Sequence, residues 1–150
     1  MTTATLGKDT LIVKDRVFTG LMDGDVTMAD LPNDLAGMKR GKNGNAVIAA
    51  NATGNSGTLT IRVVIGSDDD KFLNSEYLTY NQDPAAYALL GGSFTKRVGD
   101  GQANVNRVVY KLNGGFVQKL PQGKDNAEGD TEQGVAVWAL GFSDIQRSIS

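Results

Sequence analysis

The chain has 150 residues, a formal net charge of −2 and neither histidine nor cysteine. Histidine and cysteine supply most acid–base, thiolate and soft-metal chemistry, so their absence closes most routes to an enzyme. A pI near 5.0 argues against recruitment of nucleic acid by bulk charge, and a chain without cysteine has no disulfide staples.

The length suits one domain, residues 1–150, with its own core. Residues 1–9 are polar and lack the apolar centre of a signal peptide. No apolar run approaches the ~20 residues that a membrane helix needs. We therefore expect a soluble protein, made in a cytoplasm and without a membrane anchor.

The amino-terminal third predicts one strand and then a long irregular stretch. Residues 10–18 predict a strand. Its two faces are Leu11, Val13 and Val17 on one side and Ile12 and Phe18 on the other. Residues 19–45 are rich in glycine and predict an irregular loop, and loops of that length in compact domains are usually functional or disordered.

Two further strands are predicted before the middle of the chain. Residues 46–50 form a short one, and residues 54–57 have turn chemistry. Residues 58–65 alternate cleanly between polar and apolar side chains. The inward set is Leu59, Ile61, Val63 and Ile65.

One helix is predicted, and it begins at residues 67–70. Ser67 can cap the free N–H groups, with Asp70 three residues later as in a capping box. The three aspartates of the first turn also complement the helix dipole. Its predicted apolar face is Leu73, Tyr77 and Tyr80. The helix should stop before Pro84.

The carboxyl-terminal half predicts more strands. Residues 87–90 and 93–98 form strand material broken by two glycines, and residues 105–112 and 116–120 form two strands joined by a turn. The last strand, residues 133–142, is apolar on both faces, so the core should cover one face and something else the other. The fold class expected is mainly β: an antiparallel sandwich or barrel with one flanking α-helix.

Charge is arranged in blocks. Residues 19–35 carry four acids and no base, and residues 36–66 carry four bases and no acid. Residues 67–83 are again acidic, and residues 95–111 are again basic. This is either a chance pattern on a solvated face or electrostatic complementarity between copies of the chain.

Self-assembly contacts are the candidate functional residues. Charged candidates come from the acidic segment near residue 24 and the basic tip near residue 40, and apolar ones come from the last strand. They are Asp23, Asp25, Lys39, Arg40, Lys42, Val135 and Val137. An exposed loop is the plainer interpretation of the basic tip.

No motif for a metal, cofactor or catalytic site is complete. The best metal candidates, residues 23–25 and 68–70, lack the ligand spacing of an EF-hand, and residues 41–44 lack the spacing of a phosphate loop. A glycosidase that uses only carboxylates needs no histidine, but it needs paired acids across a cleft and aromatic residues for sugars. Only 7% of residues are aromatic, so we predict no enzyme, no metal and no cofactor.

Several segments in order resemble a known family. They are Asp70-Lys71-Phe72-Leu73-Asn74, Arg97-Val98-Gly99-Asp100-Gly101, residues 128–133 and the closing strand at residues 135–143. Over about residues 13–145, the chain resembles the tail tube proteins of contractile-tailed bacteriophages, which are related to the inner tubes of type VI secretion and contractile bacteriocins.

The resemblance implies a structural virion protein. Six copies would close into a ring whose inner wall is a continuous β-barrel, and the rings would stack into a tail tube inside a contractile sheath. The implied partners are the sheath, baseplate and tail terminator proteins, together with viral DNA that passes through the lumen without specific binding. The implied location is the virion tail, assembled in the host cytoplasm.

The same fold also suits a second role. A head–tail joining protein, or an exported tube component of the type VI kind, remains the alternative. A joining protein requires one ring, whereas a tube requires many.

Overall fold

The structure is a computed structural model that describes residues 3–4, 10–19, 27–52, 54–123, 127–129 and 131–149. Within these ranges the chain forms ten strands and one α-helix. The strands are β1 (Thr3–Ala4), β2 (Thr10–Val13), β3 (Arg16–Val17), β4 (Thr27–Asp30), β5 (Ala36–Arg40), β6 (Ala46–Ala50), β7 (Gly57–Val64), β8 (Leu90–Gly99), β9 (Val105–Lys119) and β10 (Val135–Ile149). The helix α1 spans Asp68–Gln82. This confirms the mainly-β class with a single helix.

The strands form one large antiparallel sheet and one separate hairpin. The order in the large sheet is β3-β2-β8-β9-β10-β7-β4, and β1 pairs with β8 beside β2. β5 and β6 pair only with each other. The predicted short strand at residues 46–50 is therefore confirmed, as one half of this hairpin.

One face of the large sheet packs into a single core with the helix. β7 contributes three fully buried side chains from alternate positions, as its sequence pattern predicts, and α1 contributes Leu73. The largest buried side chains are Trp138, Leu59, Ile61, Leu73, Leu90, Leu112, Leu140 and Ile145. Ile65, predicted inward, is instead exposed because the strand ends at Val64.

The two longest strands bend at the same place. In a regular strand, residues an odd number of positions apart point to opposite faces. Leu112 and Val117 of β9 nevertheless both point to the core, and so do Phe142 and Ile145 of β10. In both strands, therefore, the alternation of side chains reverses between these residues. In β9 the reversal lies at Gly114, which has φ of +65° and faces Ser143 of β10. This left-handed backbone conformation favours glycine, and a Cβ at Gly114 would also displace Ser143 Oγ. The predicted turn here is wrong, because the strand bends and continues.

Residues 10–18 form a hairpin and not one strand. Lys14 and Asp15 both have positive φ and reverse the chain. As a result Phe18 lies in the core with the β2 side chains, while Val17 is exposed. The predicted assignment of these two residues to faces is therefore wrong.

The predicted loop at residues 19–45 is also corrected where it is described. It contains β4, which pairs with β7, and β5. In the carboxyl-terminal half, β8 runs unbroken through Gly91 and Gly92 with a register shift there. β10 extends beyond its predicted end to Ile149.

The helix begins and ends as predicted, but its buried face differs. Ser67 Oγ accepts the N–H of Asp70 at 3.3 Å, and the helix stops before Pro84. Its fully buried side chains are Asp69, Leu73 and Glu76, whereas Tyr77 and Tyr80 are only half-buried. Among the described residues, no helix combines the length and the apolar character needed to cross a bilayer.

Candidate assembly surface

The long strands β8, β9 and β10 project past the core as a ribbon, with β1 paired on its β8 side and an open edge on its β10 side. We call residues 95–99, 105–110 and 146–149 the extension. β10 pairs with β7 only as far as Phe142, whereas its pairing with β9 continues to Ile149. Within the described ranges, no strand pairs with residues 146–149 on the side away from β9. An open edge of this kind is a template for another chain.

The free backbone groups on this edge can be assigned. The N–H of Ile145 points away from β9, because it donates to the carbonyl of Asn55 at 2.8 Å. In an antiparallel strand, alternate residues direct N–H and C=O to the same side. Arg147 and Ile149 therefore present their backbone groups outward from the edge.

The two faces of the extension differ in chemistry. Residues directly opposite in register share a face, so Phe94 lies beside Tyr110, and Val108 lies between Lys96 and Ile149. This face is mixed, because Arg147 lies opposite Tyr110 and Lys96 is on it as well. Phe94 and Tyr110 pack against the core, whereas Ile149 at the outer end is mostly exposed. The other face is polar and carries Arg97, Arg107 and Lys111. The apolar side chain that the mixed face leaves uncovered beside the open edge is therefore that of Ile149.

The β5–β6 hairpin, residues 36–50, projects as an arm. Every residue in both of its strands is exposed, including Met38 at 59%, Val47 at 69% and Ile48 at 72%. An isolated two-stranded hairpin is marginally stable in water, and exposed apolar clusters usually mark interaction sites. We call this hairpin the arm.

The basic candidates lie together on the arm. Lys39 and Arg40 end β5, and Lys42 lies in the turn that follows. All three side chains are exposed. The structure thus brings them to one tip, and their contact role stays a prediction.

The other candidates fall in two places. Val135 and Val137 lie on β10 opposite Val64 and Arg62 of β7. Val135 is buried and Val137 is largely exposed, so the face of β10 away from the core is only partly covered. Asp23 and Asp25 lie outside the described residues.

A groove lies beside the root of the arm. Its volume is about 360 Å³, and it is lined by Pro32, Asn33, Ser56, Gly57, Thr58, Phe116, Gln118, Gly141, Phe142 and Ser143. A Cβ at Gly141 would press on Phe116 and Gln118, so glycine keeps the floor open. The lining is aromatic and amide-rich and carries no charge.

Two buried acids of α1 hold the β2–β3 turn, which the sequence patterns do not reveal. Asp69, 1% exposed, pairs with Arg16 at 2.9 Å and accepts the N–H of Thr19 at 2.9 Å. Glu76 pairs with Lys14 at 2.9 Å and accepts the hydroxyl of Tyr87 at 2.7 Å. Burial, and then Glu76, raise the pKa of the Tyr87 phenol well above its usual value.

Two of the aspartates considered as metal ligands, Asp69 and Asp70, have structural partners. Asp69 is held in an ion pair, and Asp70 accepts hydrogen bonds from Gly66 and Trp138. Among the residues that the structure describes, no cluster of three or more acidic side chains is arranged to hold a metal ion.

The fold is shared with chains of contractile injection assemblies. The cryo-EM structure of the anti-feeding prophage cap (AFP tube terminating cap) matches with a TM-score of 0.70 and 10% identity, over 99% of this chain and 92% of that chain. The extended PVC sheath-tube complex of an extracellular contractile injection system matches with 0.57 and 12%, over 99% and 91%. The PVC sheath/tube terminator in the extended state matches with 0.56 and 12%, over 97% and 95%. Such identities show a common fold alone.

Comparison at the level of sequence gives no relative. No protein-family model matches the chain, and no curated protein matches it.

Proposed function

We propose that the chain is a structural protein of a contractile tail or injection system. It assembles into hexameric rings that stack as the inner tube within the sheath, and it catalyses no reaction. The observation that carries the proposal is the open edge of β10 beside the exposed apolar side chain of Ile149. Pairing with the next copy satisfies both, because it supplies backbone partners and covers the apolar side chain.

Ring closure needs two different surfaces on each copy. A heterologous interface joins one patch to another, and rotation then closes the ring. The chain offers the β10 edge on one side of the sheet and β1 to β3 on the other. The likeness to chains of sheath, tube and cap structures supports this assembly and suggests sheath, baseplate and terminator proteins as partners, with the lumen as the path for DNA during contraction.

A terminating or joining ring is the second candidate. It is supported by the TM-score of 0.70 with the AFP tube-terminating cap. The PVC sheath/tube terminator, at 0.56, matches no better than the PVC sheath-tube complex, at 0.57. Electron microscopy separates the two roles, because a tube protein forms filaments and a terminator forms isolated rings.

The test is negative-stain microscopy of the purified protein. We expect rings about 100 Å across, an order-of-magnitude width for six such domains around a lumen. Monomers alone at high concentration would contradict the proposal.

A proline variant tests the edge directly. Arg147→Pro removes an outward N–H while the β9 ladder stays intact, because proline is tolerated at a strand edge whose N–H faces solvent. We expect a folded chain that forms no rings. Arg147→Ala is the matched control, since it removes the same side chain and keeps the N–H. If both variants assemble equally well, the β10 edge is not the junction.

A further inference from the structure

The two sides of the arm are unequal. By register, Met38 lies opposite Ile48 on one side, and Lys39 lies opposite Val47 on the other. Arg40 shares the side of Met38 and stands next to the turn. The arm therefore presents an apolar pair followed by a basic tip.

The groove has features that match those of the arm. Its walls include Phe116, Phe142 and Pro32, which suit apolar side chains. At about 360 Å³ it is at the small end of binding pockets, which span roughly 300–1,000 Å³. It therefore accommodates a few side chains and not a domain.

Carboxylates flank the groove. Asp30 and Asp34 stand on either side of the lining residues Pro32 and Asn33, and Asp144 follows the lining residue Ser143. Asp30 and Asp34 are exposed. Within the described part of the chain, neither is joined to a base in an ion pair. Asp30 also pairs with the lining residue Thr58. Acids therefore outnumber bases next to the groove, where Lys119 follows the lining residue Gln118, whereas residues 36–50 of the arm carry bases and no acid.

We propose that the arm of one copy docks in the groove of a second copy, with Met38 and Ile48 in the groove and the basic tip against the acidic rim. An arm strand of five residues is about 17 Å long at roughly 3.4 Å per residue. The groove lies at the arm's own root, so the tip cannot fold back into it. The inference rests on the proposed function, because it requires copies to assemble, and it deepens that function by naming both halves of a contact.

Cysteine cross-linking tests the contact, because the chain contains no cysteine of its own. A Met38→Cys variant is mixed with an Asn33→Cys variant that carries a size tag, and the assembled mixture is oxidised. A disulfide needs Cα atoms within about 4.4–6.8 Å, so we expect the mixed-size dimer on a non-reducing gel. Mixing Met38→Cys with tagged Leu78→Cys, an exposed site on α1, should give none.

The outcomes separate this inference from the proposed function. Rings in the microscope without the mixed dimer overturn the arm–groove contact and leave the assembly role standing. An equal yield with Leu78→Cys overturns the contact as well. Monomers alone, in the wild-type chain, remove both proposals.

A charge exchange gives an independent test that does not depend on the cysteine variants. Arg40→Glu with Lys42→Glu reverses the base on the docking side of the arm and the base in its turn. It should abolish assembly at low salt, and adding Asp30→Lys with Asp34→Lys in the same chain should restore it. The control, Lys71→Glu with Asn74→Asp and Ser75→Asp, alters the net charge equally at exposed sites on α1, away from the arm and the groove, and should assemble normally. The contact is contradicted if the arm variant assembles normally, or if the two aspartate reversals fail to restore its assembly.

Discussion

The indole N–H of Trp138 donates to Asp70 Oδ1 at 2.8 Å, and this bond ties the last strand to the first turn of the helix. The other carboxylate oxygen of Asp70 accepts the N–H of Gly66 at 2.9 Å. Trp138 is 2% exposed, so its N–H has no access to solvent. One carboxylate therefore fixes the helix start against the core.

Removal of this carboxylate should destabilise the chain. Asp70→Ala leaves a buried indole N–H without its acceptor, which costs about 1–3 kcal/mol of unfolding free energy. Asp70→Asn keeps an oxygen acceptor and should lose less. Urea unfolding, followed by the fluorescence of the single tryptophan, measures both. Asp68→Ala is the control from the same turn, and a loss as large as that of Asp70→Ala would refute the bond's role.

The buried ion pair of Asp69 predicts an unequal effect of two neighbouring bases. Arg16→Met should cost about 3 kcal/mol, at the low end for breaking a buried pair, because Arg16 is partly exposed. Lys14→Met should cost less than about 1 kcal/mol, since Lys14 is 53% exposed and Glu76 keeps the Tyr87 hydroxyl. Thermal or urea unfolding gives the comparison. If both variants lost the same free energy of unfolding, the burial of Asp69 would not determine the cost of removing its basic partner.

The raised pKa of Tyr87 predicts how stability depends on alkaline pH. The folded chain holds the phenol proton more tightly than the unfolded chain, whose tyrosines titrate near 10.0. The stabilisation is thus fully present below pH 10 and is lost as pH rises above it. In the Tyr87→Phe variant, less stability should be lost as the pH rises above 10 than in the wild-type chain. In the folded protein, absorbance near 295 nm should show the same tyrosinate signal below pH 12 with and without Tyr87. A smaller signal in the variant would contradict the shift.

The bend at Gly114 predicts a position where a side chain lowers the free energy of unfolding. Gly114→Ala places a Cβ against Ser143 at positive φ, and the strain of that backbone conformation alone costs about 1–3 kcal/mol. Gly123→Ala is the control, because a Cβ there meets nothing within 4 Å and its effect should stay within about 0.5 kcal/mol. The unfolding midpoints of the two variants are compared. Similar midpoints would show that the backbone conformation at residue 114 does not favour glycine.

Local signals in the sequence predicted the elements whose cause is local. Ser67 and the aspartates behind it start the helix, Pro84 follows its end, and alternation in residues 58–63 gives the buried side of β7. Capping and period-2 patterns depend on residues a few positions apart, which is why they can be recognised without a structure.

Other features depend on partners distant in sequence. β4 forms because it pairs with β7, and Asp69 is buried because Arg16, 53 positions away, reaches it. Gly114 has the sequence context of a turn. Because β8 and β10 pair with β9 on either side of it, β9 bends there and continues. The interpretation of residues 113–115 as a turn failed because flanking strands supplied hydrogen bonds that a local pattern cannot show.

The sequence by itself determined a mainly-β chain with one capped helix, a chain without histidine or cysteine chemistry, and a basic segment around residue 40. Only the tertiary structure decided that this segment is an exposed arm, that a groove lies at its root and that β10 ends in an open edge. The reason is physical: side-chain alternation records which face is apolar, whereas an unpaired edge or an uncovered face exists only after all the other strands have been placed.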